Sequence, residues 1–230
     1  MSDADTRDLM RRAAAGEPAA RLAWLRVRMR ELPQGRIRLR VAAGLGHAAA
    51  LTLEPDTAKL ELYSGSAAVA TFKQILEVCD QVTAVRFAAD CAERCLPRWE
   101  WWNPEDRGPR AALEAARAWT ACPCRGHAAK AEATIPAAYA AAFKARKNHY
   151  AAAGTIPHCA KSSVDALLCD PGLKSVLASV LVTAARAGLS DLVRPHPRWH
   201  QAGRECPTTL AREEGWQRSR LAACVLGEVS

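Results

Sequence analysis

The stretch Cys122-Pro-Cys124-Arg-Gly-His127 carries two thiols and an imidazole within six residues, and these groups ligate metal ions. Structural zinc usually has four ligands, supplied by paired C-x2–4-C and H-x3–5-H units. Here the C-x-C spacing is tighter, and a fourth ligand would have to come from another part of the chain. The pattern therefore favours a turn between two helices, with small buried thiols. Whether Cys122, Cys124 and His127 bind a metal stays open at this stage.

A second candidate for chemistry is the carboxylate pair Asp90 and Glu93, because two nearby acids can share acid–base work. Arg86 and Arg94 each lie four residues from Asp90, however, and opposite charges at that spacing pair on a helix surface. We therefore predict that Arg86, Asp90, Glu93 and Arg94 form structural ion pairs. The sequence shows no Walker A motif, no G-x-G-x-x-G after a strand and no G-x-S-x-G. We expect no enzyme, no catalytic residue and no cofactor.

The stretch WEWWNPEDRGPR, residues 99–110, holds three of the seven tryptophans beside a cluster of charges. Asn103-Pro104 and Gly108-Pro109 are both typical of helix starts, so the segment predicts a corner with two consecutive starts. Tryptophan and arginine are enriched at interface hot spots. The residues predicted to bind a partner are Trp101, Trp102, Glu105, Asp106, Arg107 and Arg110.

The elements around this corner are predicted to be helices, because apolar residues recur at spacings of three and four and alanine is abundant. Pro97 lacks an N–H, so the helix that contains it should kink or end near that residue. A Pro-, His- and Arg-rich stretch, residues 194–208, is predicted to be a loop. The fold class is mainly α, a compact multi-helix array, with predicted helices at 6–14, 18–32, 68–78, 82–102, 109–121, 159–169, 173–187 and 210–226, and two more between 124 and 154, broken near Pro136.

Residues 36–63 show a different pattern. Arg36-Ile37-Arg38-Leu39-Arg40-Val41 alternates charged and apolar side chains, which is typical of a half-buried strand. Residues 51–53 and 59–63 also alternate, and a Pro-Asp turn separates them. This pattern favours a small N-terminal β-hairpin or three-strand element at about 36–63. The alternative is a helix over 37–53 that breaks near Gly44 and Gly46.

The chain is predicted to have three segments: residues 1–66 with helices and the small β element, a helical core over 67–190, and a loop with a C-terminal helix over 191–230. Nine cysteines without regular spacing indicate reduced thiols, and Cys91 and Cys95 lie in an Ala- and Leu-rich stripe typical of a core. The N-terminus lacks an apolar h-region, and the longest apolar run, 176–185, is too short to span a bilayer. We expect a cytoplasmic protein without a membrane partner.

Three consecutive stretches carry a family resemblance: FAADCAERCLP at 87–97, PEDRGPR at 104–110 and AALEAARAW at 111–119. They resemble the Imm-five-like immunity proteins of bacteria, in which an A-x-D-C-A-E-R-x-L-P helix precedes a P-x-D-x-R-x-P-R corner and an A-I-E-A-A-R-A-W helix. The Cys122-Pro-Cys124 turn and Pro136 depart from the family's Ala-rich part. The resemblance implies a helical protein that neutralises a co-encoded toxin by binding it, and it implies no catalytic residues.

The favoured function is therefore an immunity protein that binds a toxin or related effector. The net charge of +8 would suit an acidic protein partner. One alternative is a nucleic-acid-binding module that uses the arginines of 21–40 and 194–220, whose affinity would fall steeply with salt. The other is a metal- or thiol-dependent enzyme built on Cys122, Cys124 and His127.

Overall fold

The computed structural model describes residues 3–63, 65–147, 155–170, 172, 174–193 and 209–228. Of residues 102, 145–147, 155–159 and 187–193 it describes the backbone only. Every regular element in the described residues is a helix, so the predicted mainly α class is confirmed. The predicted loop at 194–208 lies outside the described residues.

The helices agree with the predicted ones within a few residues along most of the chain, except in residues 36–63. In chain order they are α1 (Asp3–Ala14), α2 (Pro18–Glu31), α3 (Gly35–Gly44), α4 (Ala48–Leu53), α5 (Gly65–Val78), α6 (Gln81–Trp102), α7 (Gly108–Ala121), α8 (Arg125–Glu132), α9 (Ile135–Lys147), α10 (Thr155–Leu168), α11 (Lys174–Val193) and α12 (Leu210–Val225). None of the helices in the described ranges is long and apolar enough to cross a membrane.

The chain divides into two compact units, Met1–Leu60 with Arg218–Ser230, and Glu61–Gln217. The predicted segment boundaries after residues 66 and 190 stay a prediction. In the first unit α2 packs against α1, α3 and α4. Arg28 donates to the carbonyl of Gly227, and Arg38 Nη1 donates to the carbonyl of Val225 at 2.7 Å. These two arginines bind carbonyls at the C-terminus of α12, which is the end of a helix that attracts cations.

The predicted β element at 36–63 is wrong, because α3 and α4 occupy residues 35–53 and the described residues contain no strand. The alternation was not a burial pattern: Ile37 is 48% exposed while Val41 is 5% exposed. Val41 and Leu45, four residues apart, are the buried positions of a helical face. The alternative prediction, a helix interrupted near Gly44 and Gly46, is correct. Gly46 ends α3 with a φ of 93°, a value that favours glycine.

The second unit is built around α6, which packs against α7, α10 and α11. Its core contains the fully buried rings of Phe72, Phe87 and Trp99, and the two phenylalanine ring centroids lie 6.1 Å apart. Buried alanines such as Ala88 and Ala116, both 0% exposed, let the helix backbones approach closely. The abundance of small buried alanines is thus compatible with close packing of these helices.

Two side chains fix the N-terminal end of α6. Asp80 is its N-cap and accepts a hydrogen bond from the Thr83 N–H at 2.8 Å, which satisfies one free donor of the first turn. The Gln81 amide lies within 2.7–2.9 Å of the carbonyls of Ala166, Leu167 and Cys169, at the end of α10. This end of α6 is therefore tied to the helix against which it packs.

Candidate functional site

The corner between α6 and α7 contains one helix start, at Gly108, and not the two that the sequence predicted. The predicted start at Asn103-Pro104 is wrong, because Asn103 closes α6: its N–H donates to the carbonyl of Trp99 at 2.8 Å. A turn follows, in which the Asp106 N–H donates to the Asn103 carbonyl at 2.9 Å. The Asp106 carboxylate then accepts from the Gly108 N–H at 3.2 Å and starts α7.

Pro97 lies inside α6, which continues to Trp102, so the helix does not end near the proline. The missing proline N–H removes the intrahelical donor for the carbonyl of Glu93, and Glu93 is exposed to water. Gly108 is held close to α9, since a Cβ atom there would lie 2.9 Å from the carbonyl oxygen of Ala137. The corner is therefore packed on its inner side.

The residues predicted to bind a partner differ in exposure. Glu105 and Arg107 are exposed, whereas Trp101, Asp106 and Arg110 are half-buried. The side chain of Trp102 lies outside the described residues. The neighbouring Trp99 is 1% exposed and forms the buried inner side of the corner. Partner binding by the six residues stays a prediction, and among the five whose side chains are described, Glu105 and Arg107 are the exposed ones.

A bidentate salt bridge joins the two sides of the corner. Arg110 Nε and Nη2 donate to the two carboxylate oxygens of Glu100 at 2.8 and 2.7 Å. Hydrogen bonding from Arg110 lowers the pKa of Glu100 against the opposing effect of burial. Both side chains are about 30% exposed, at 31% and 27%. The pair stabilises the angle at which α6 and α7 meet, because a bidentate guanidinium fixes geometry as well as charge.

A second salt bridge lies farther along the same pair of helices. Arg117 Nη2 donates to Asp90 Oδ1 and to Glu93 Oε2, both at 2.5 Å. Burial opposes the charged form, but the two carboxylates together raise the pKa of Arg117. Asp90, 7% exposed, is the buried partner, and Glu93 is 58% exposed.

The two salt bridges form a ladder on one face of an antiparallel helix pair. Glu93 to Glu100 and Arg110 to Arg117 are both steps of seven residues, or about two helical turns, so the pairs lie roughly 10 Å apart. The acids are on α6 and the arginines are on α7. Half-buried Arg86 lies on α6 as well. Asp90 and Glu93, two of the predicted ion-pair residues, thus form salt bridges with Arg117 of α7.

Arg94 has a partner that sequence reasoning missed. Its Nε and Nη2 donate to Glu213 Oε2 at 3.1 and 2.7 Å, and its guanidinium lies 4.2 Å from the ring centroid of Trp216. Glu213 is 0% exposed, and its other oxygen accepts from the Gln217 amide at 3.2 Å. No local pattern marks Glu213, because its partner is 119 residues away in the sequence.

The Cys122-Pro-Cys124 turn lies between α7 and α8, as predicted, but both thiols are exposed, so the prediction of buried thiols is wrong. Cys124 Sγ lies 3.2 Å from His127 Nδ1, which also lies 3.1 Å from the Cys122 carbonyl oxygen. Hydrogen bonding from His127 lowers the pKa of Cys124, and the contact with Cys124 raises the pKa of Cys122.

Cys91 and Cys95 are core residues as predicted, with 1% and 0% exposure. Burial raises the pKa of the Cys91 thiol well above its ordinary value. A thiol in such a place is kept protonated and unreactive. Cys91 and Cys95 therefore contribute to core packing, in contrast to the exposed thiols of the turn after α7.

The first unit has a cavity of about 750 Å³, which the sequence did not predict. Its lining mixes apolar and charged residues, including Met10, Arg21, Trp24, His47 and Glu228. His47 caps α4 by accepting from the Ala50 N–H and lies 3.6 Å from Glu228. The charged groups at its edge are therefore engaged with one another or with helix ends.

One comparison with known proteins finds a match. The family model described as "Imm-5 like putative immunity protein" matches residues 74–163. This range contains all of α6, α7, α8 and α9, and it includes both salt bridges of the ladder. No curated protein and no solved structure matches the chain. The family resemblance that the sequence indicated is thus confirmed over these residues.

Proposed function

From the family match over residues 74–163, we propose that this protein is an immunity protein that neutralises a toxin by binding it. The observation that carries the proposal is that the match covers the whole α6–α7 pair and the corner between its helices. In that pair the charged side chains hold the helices to each other. A protein of this kind works by covering the surface of its target, and it needs no cofactor.

The acids of α6 support recognition as the role of this region. Asp90 and Glu93 both contact Arg117, at 2.5 Å, and Glu100 is held by Arg110. A general base needs to reach a substrate proton, and these carboxylates already accept strong hydrogen bonds from arginine. Their arrangement is suited to holding a rigid scaffold. We infer that the α6–α7 pair presents a surface and carries out no reaction.

The docking surface in this proposal is the corner, with Glu105 and Arg107 exposed beside half-buried Trp101. Arginine and tryptophan carry much of the binding energy at protein interfaces. The Glu100–Arg110 salt bridge holds both sides of the corner before a partner arrives. Such preorganisation reduces the entropy lost on binding, so a small corner can bind tightly.

The partner that fits is an acidic protein. The chain carries a formal net charge of +8, while the acids of the ladder are neutralised by α7. Electrostatic complementarity speeds association and excludes wrong partners. In this proposal the net positive charge of the whole chain speeds the approach of an acidic toxin, and Arg107 contacts the toxin at the corner, where Glu105 is also exposed.

The test is to search the neighbouring genes for a toxin domain, to co-express that domain with this protein, and to measure binding of the two purified proteins by calorimetry. We expect the wild type to restore growth and to bind the domain. Arg107→Glu should weaken binding by roughly tenfold or more, because interface hot spots are worth at least 1–2 kcal/mol. The matched control is Lys73→Glu, which makes the same charge change at an exposed site on α5, a helix that packs against α11.

Two results would count against the proposal. If the wild type neither bound the toxin domain nor restored growth, the immunity function would be refuted. If Arg107→Glu and Lys73→Glu weakened binding equally, the corner would not be the docking surface, and only the net charge would matter. A salt titration of the complex separates these contributions, since long-range charge effects are screened at high ionic strength.

A further inference from the structure

We propose that Cys122, Cys124 and His127 form a binding site for a thiophilic d10 cation, zinc(II) or copper(I). The three residues each place a ligand atom within 4.8 Å of the other two. Cys124 Sγ and His127 Nδ1 lie 3.2 Å apart. The described salt bridges of the ladder and the corner do not involve these side chains, so the site is separate from the proposed toxin-binding surface.

The backbone holds this cluster together before any metal binds. The Cys124 N–H donates to the Cys122 carbonyl at 2.8 Å, which closes a three-residue turn. Pro123 is the middle residue, and its ring fixes a φ that suits such a turn. Cys124 is then the N-cap of α8, and His127 lies three residues later in the first turn. Residues three apart on a helix share a face, so the imidazole points back to the thiol.

The distances suit tetrahedral coordination after a small adjustment. With Zn–S of about 2.3 Å and Zn–N of about 2.0 Å, sulfur and nitrogen ligands lie about 3.5 Å apart at a tetrahedral angle. The observed 3.2 Å is a hydrogen-bond contact that a cation would replace. Cys122 and Cys124 are exposed, so the ion has a direct path of entry.

The donor set selects the kind of ion. Two thiolates and one imidazole are soft or borderline ligands, which favour copper(I) and zinc(II) over magnesium or calcium. The C-x-C spacing in the sequence is evidence against a zinc site in which the protein supplies all four ligands. Three protein ligands with one open position form a different class, in which water or an external donor completes the shell. The exposed turn at the C-terminal end of α7 fits that class.

The experiment uses the full chain, freed of metal and kept reduced by a phosphine. Zinc(II) is titrated against a chromophoric chelator, and copper(I) against a copper(I)-specific chelator in a separate arm. Cobalt(II) serves as a spectroscopic probe, because thiolate ligands give it a near-ultraviolet charge-transfer band. We expect one equivalent of zinc(II) or copper(I) to bind, and the arm that succeeds identifies the ion.

The variants are Cys124→Ser and His127→Ala, with Cys169→Ser as the matched control for loss of one thiol away from the turn. Loss of a side chain that only hydrogen-bonds a metal ligand costs about 10–100-fold in affinity, so loss of a ligand itself should cost at least a hundredfold. The control should bind like the wild type. None of the three side chains is buried, since Cys124 is exposed and His127 and Cys169 are half-buried, so circular dichroism should show unchanged helix content in all three variants.

The proposal is overturned if neither ion competes with its chelator, or if both site variants keep wild-type affinity. It is also overturned if Cys169→Ser weakens binding as much as Cys124→Ser does. The two site variants are measured separately, so a folding defect in one leaves the other decisive. Toxin binding is measured independently on the same proteins, so its failure is distinguished from failure of the metal site.

Discussion

Replacing Arg94 with methionine should destabilise the second unit strongly, because the guanidinium neutralises a carboxylate with no exposed surface. Arg94 makes two hydrogen bonds to Glu213, and Glu213 is 0% exposed. Removing one partner of a buried ion pair costs about 3–5 kcal/mol. Arg94 itself is 34% exposed, which admits some water and places the cost near the lower end. Loss of the contact with Trp216 adds about 0.5–1 kcal/mol. The expected total is about 3–4 kcal/mol.

The opposite substitution should cost much less. Glu213→Gln keeps the shape of the side chain and leaves the charge on Arg94, which is partly exposed and can be hydrated. We expect a loss of about 1–2 kcal/mol, the price of one charged hydrogen bond. In Arg94→Met with Glu213→Gln the buried charge is absent, so the double variant should be more stable than Arg94→Met alone. The coupling energy should be about 1–3 kcal/mol.

The assay is amide hydrogen exchange of α6 peptides, followed by mass spectrometry. A local readout is needed because a chain with two compact units need not unfold in one step. A loss of about 3 kcal/mol raises the opening equilibrium by roughly a hundredfold. The reasoning would be refuted if Arg94→Met were no worse than Glu213→Gln, or if the double variant were less stable than Arg94→Met.

Three further predictions concern the Glu100–Arg110 salt bridge, two glycines and the cysteines. The hydrogen bond from Arg110 on α7 lowers the pKa of Glu100 from its ordinary value of 4.5. The stability contributed by this salt bridge is therefore fully present above pH 4.5, and it is lost as the pH falls through the lowered pKa of Glu100. The stability difference between wild type and Glu100→Gln, about 1 kcal/mol at neutral pH, should therefore shrink as the pH falls below about 4.5 in urea titrations, and a constant difference would contradict it. Gly108→Ala should destabilise by about 1–2 kcal/mol, because the added Cβ would lie 2.9 Å from a backbone oxygen of α9. Gly215→Ala, whose added Cβ meets no described atom outside its own helix backbone within 4 Å, should stabilise by about 0.5–1 kcal/mol; thermal melts measure both glycine variants, and equal effects would refute the packing argument. Iodoacetamide should label Cys124 in the folded protein, and Cys91, 1% exposed, only after unfolding; mass spectrometry of the peptides measures both.

The helices could be predicted from sequence where apolar spacing and burial coincide. In α7 the residues Leu113, Ala116 and Trp119 recur every three positions, and all three are buried. The same reasoning failed at 36–41, where alternating arginines imitated a strand. In α3, which covers these residues, Val41 lies on the buried side of the helix and Ile37 faces solvent. Alternation indicates a strand only when the alternate residues are buried, and burial is a tertiary property.

The sequence by itself determined the helical class, the turn after α7 and the charged character of the corner, because these depend on residues close together in the chain. Only the tertiary structure decided which charge meets which. Asp90 and Glu93 contact Arg117 on the next helix, and Arg94 contacts Glu213 on the last one. Helical spacing says which side chains share a face. It does not say which face another helix will cover. A charged side chain that another helix covers becomes buried, and a buried charge needs a partner.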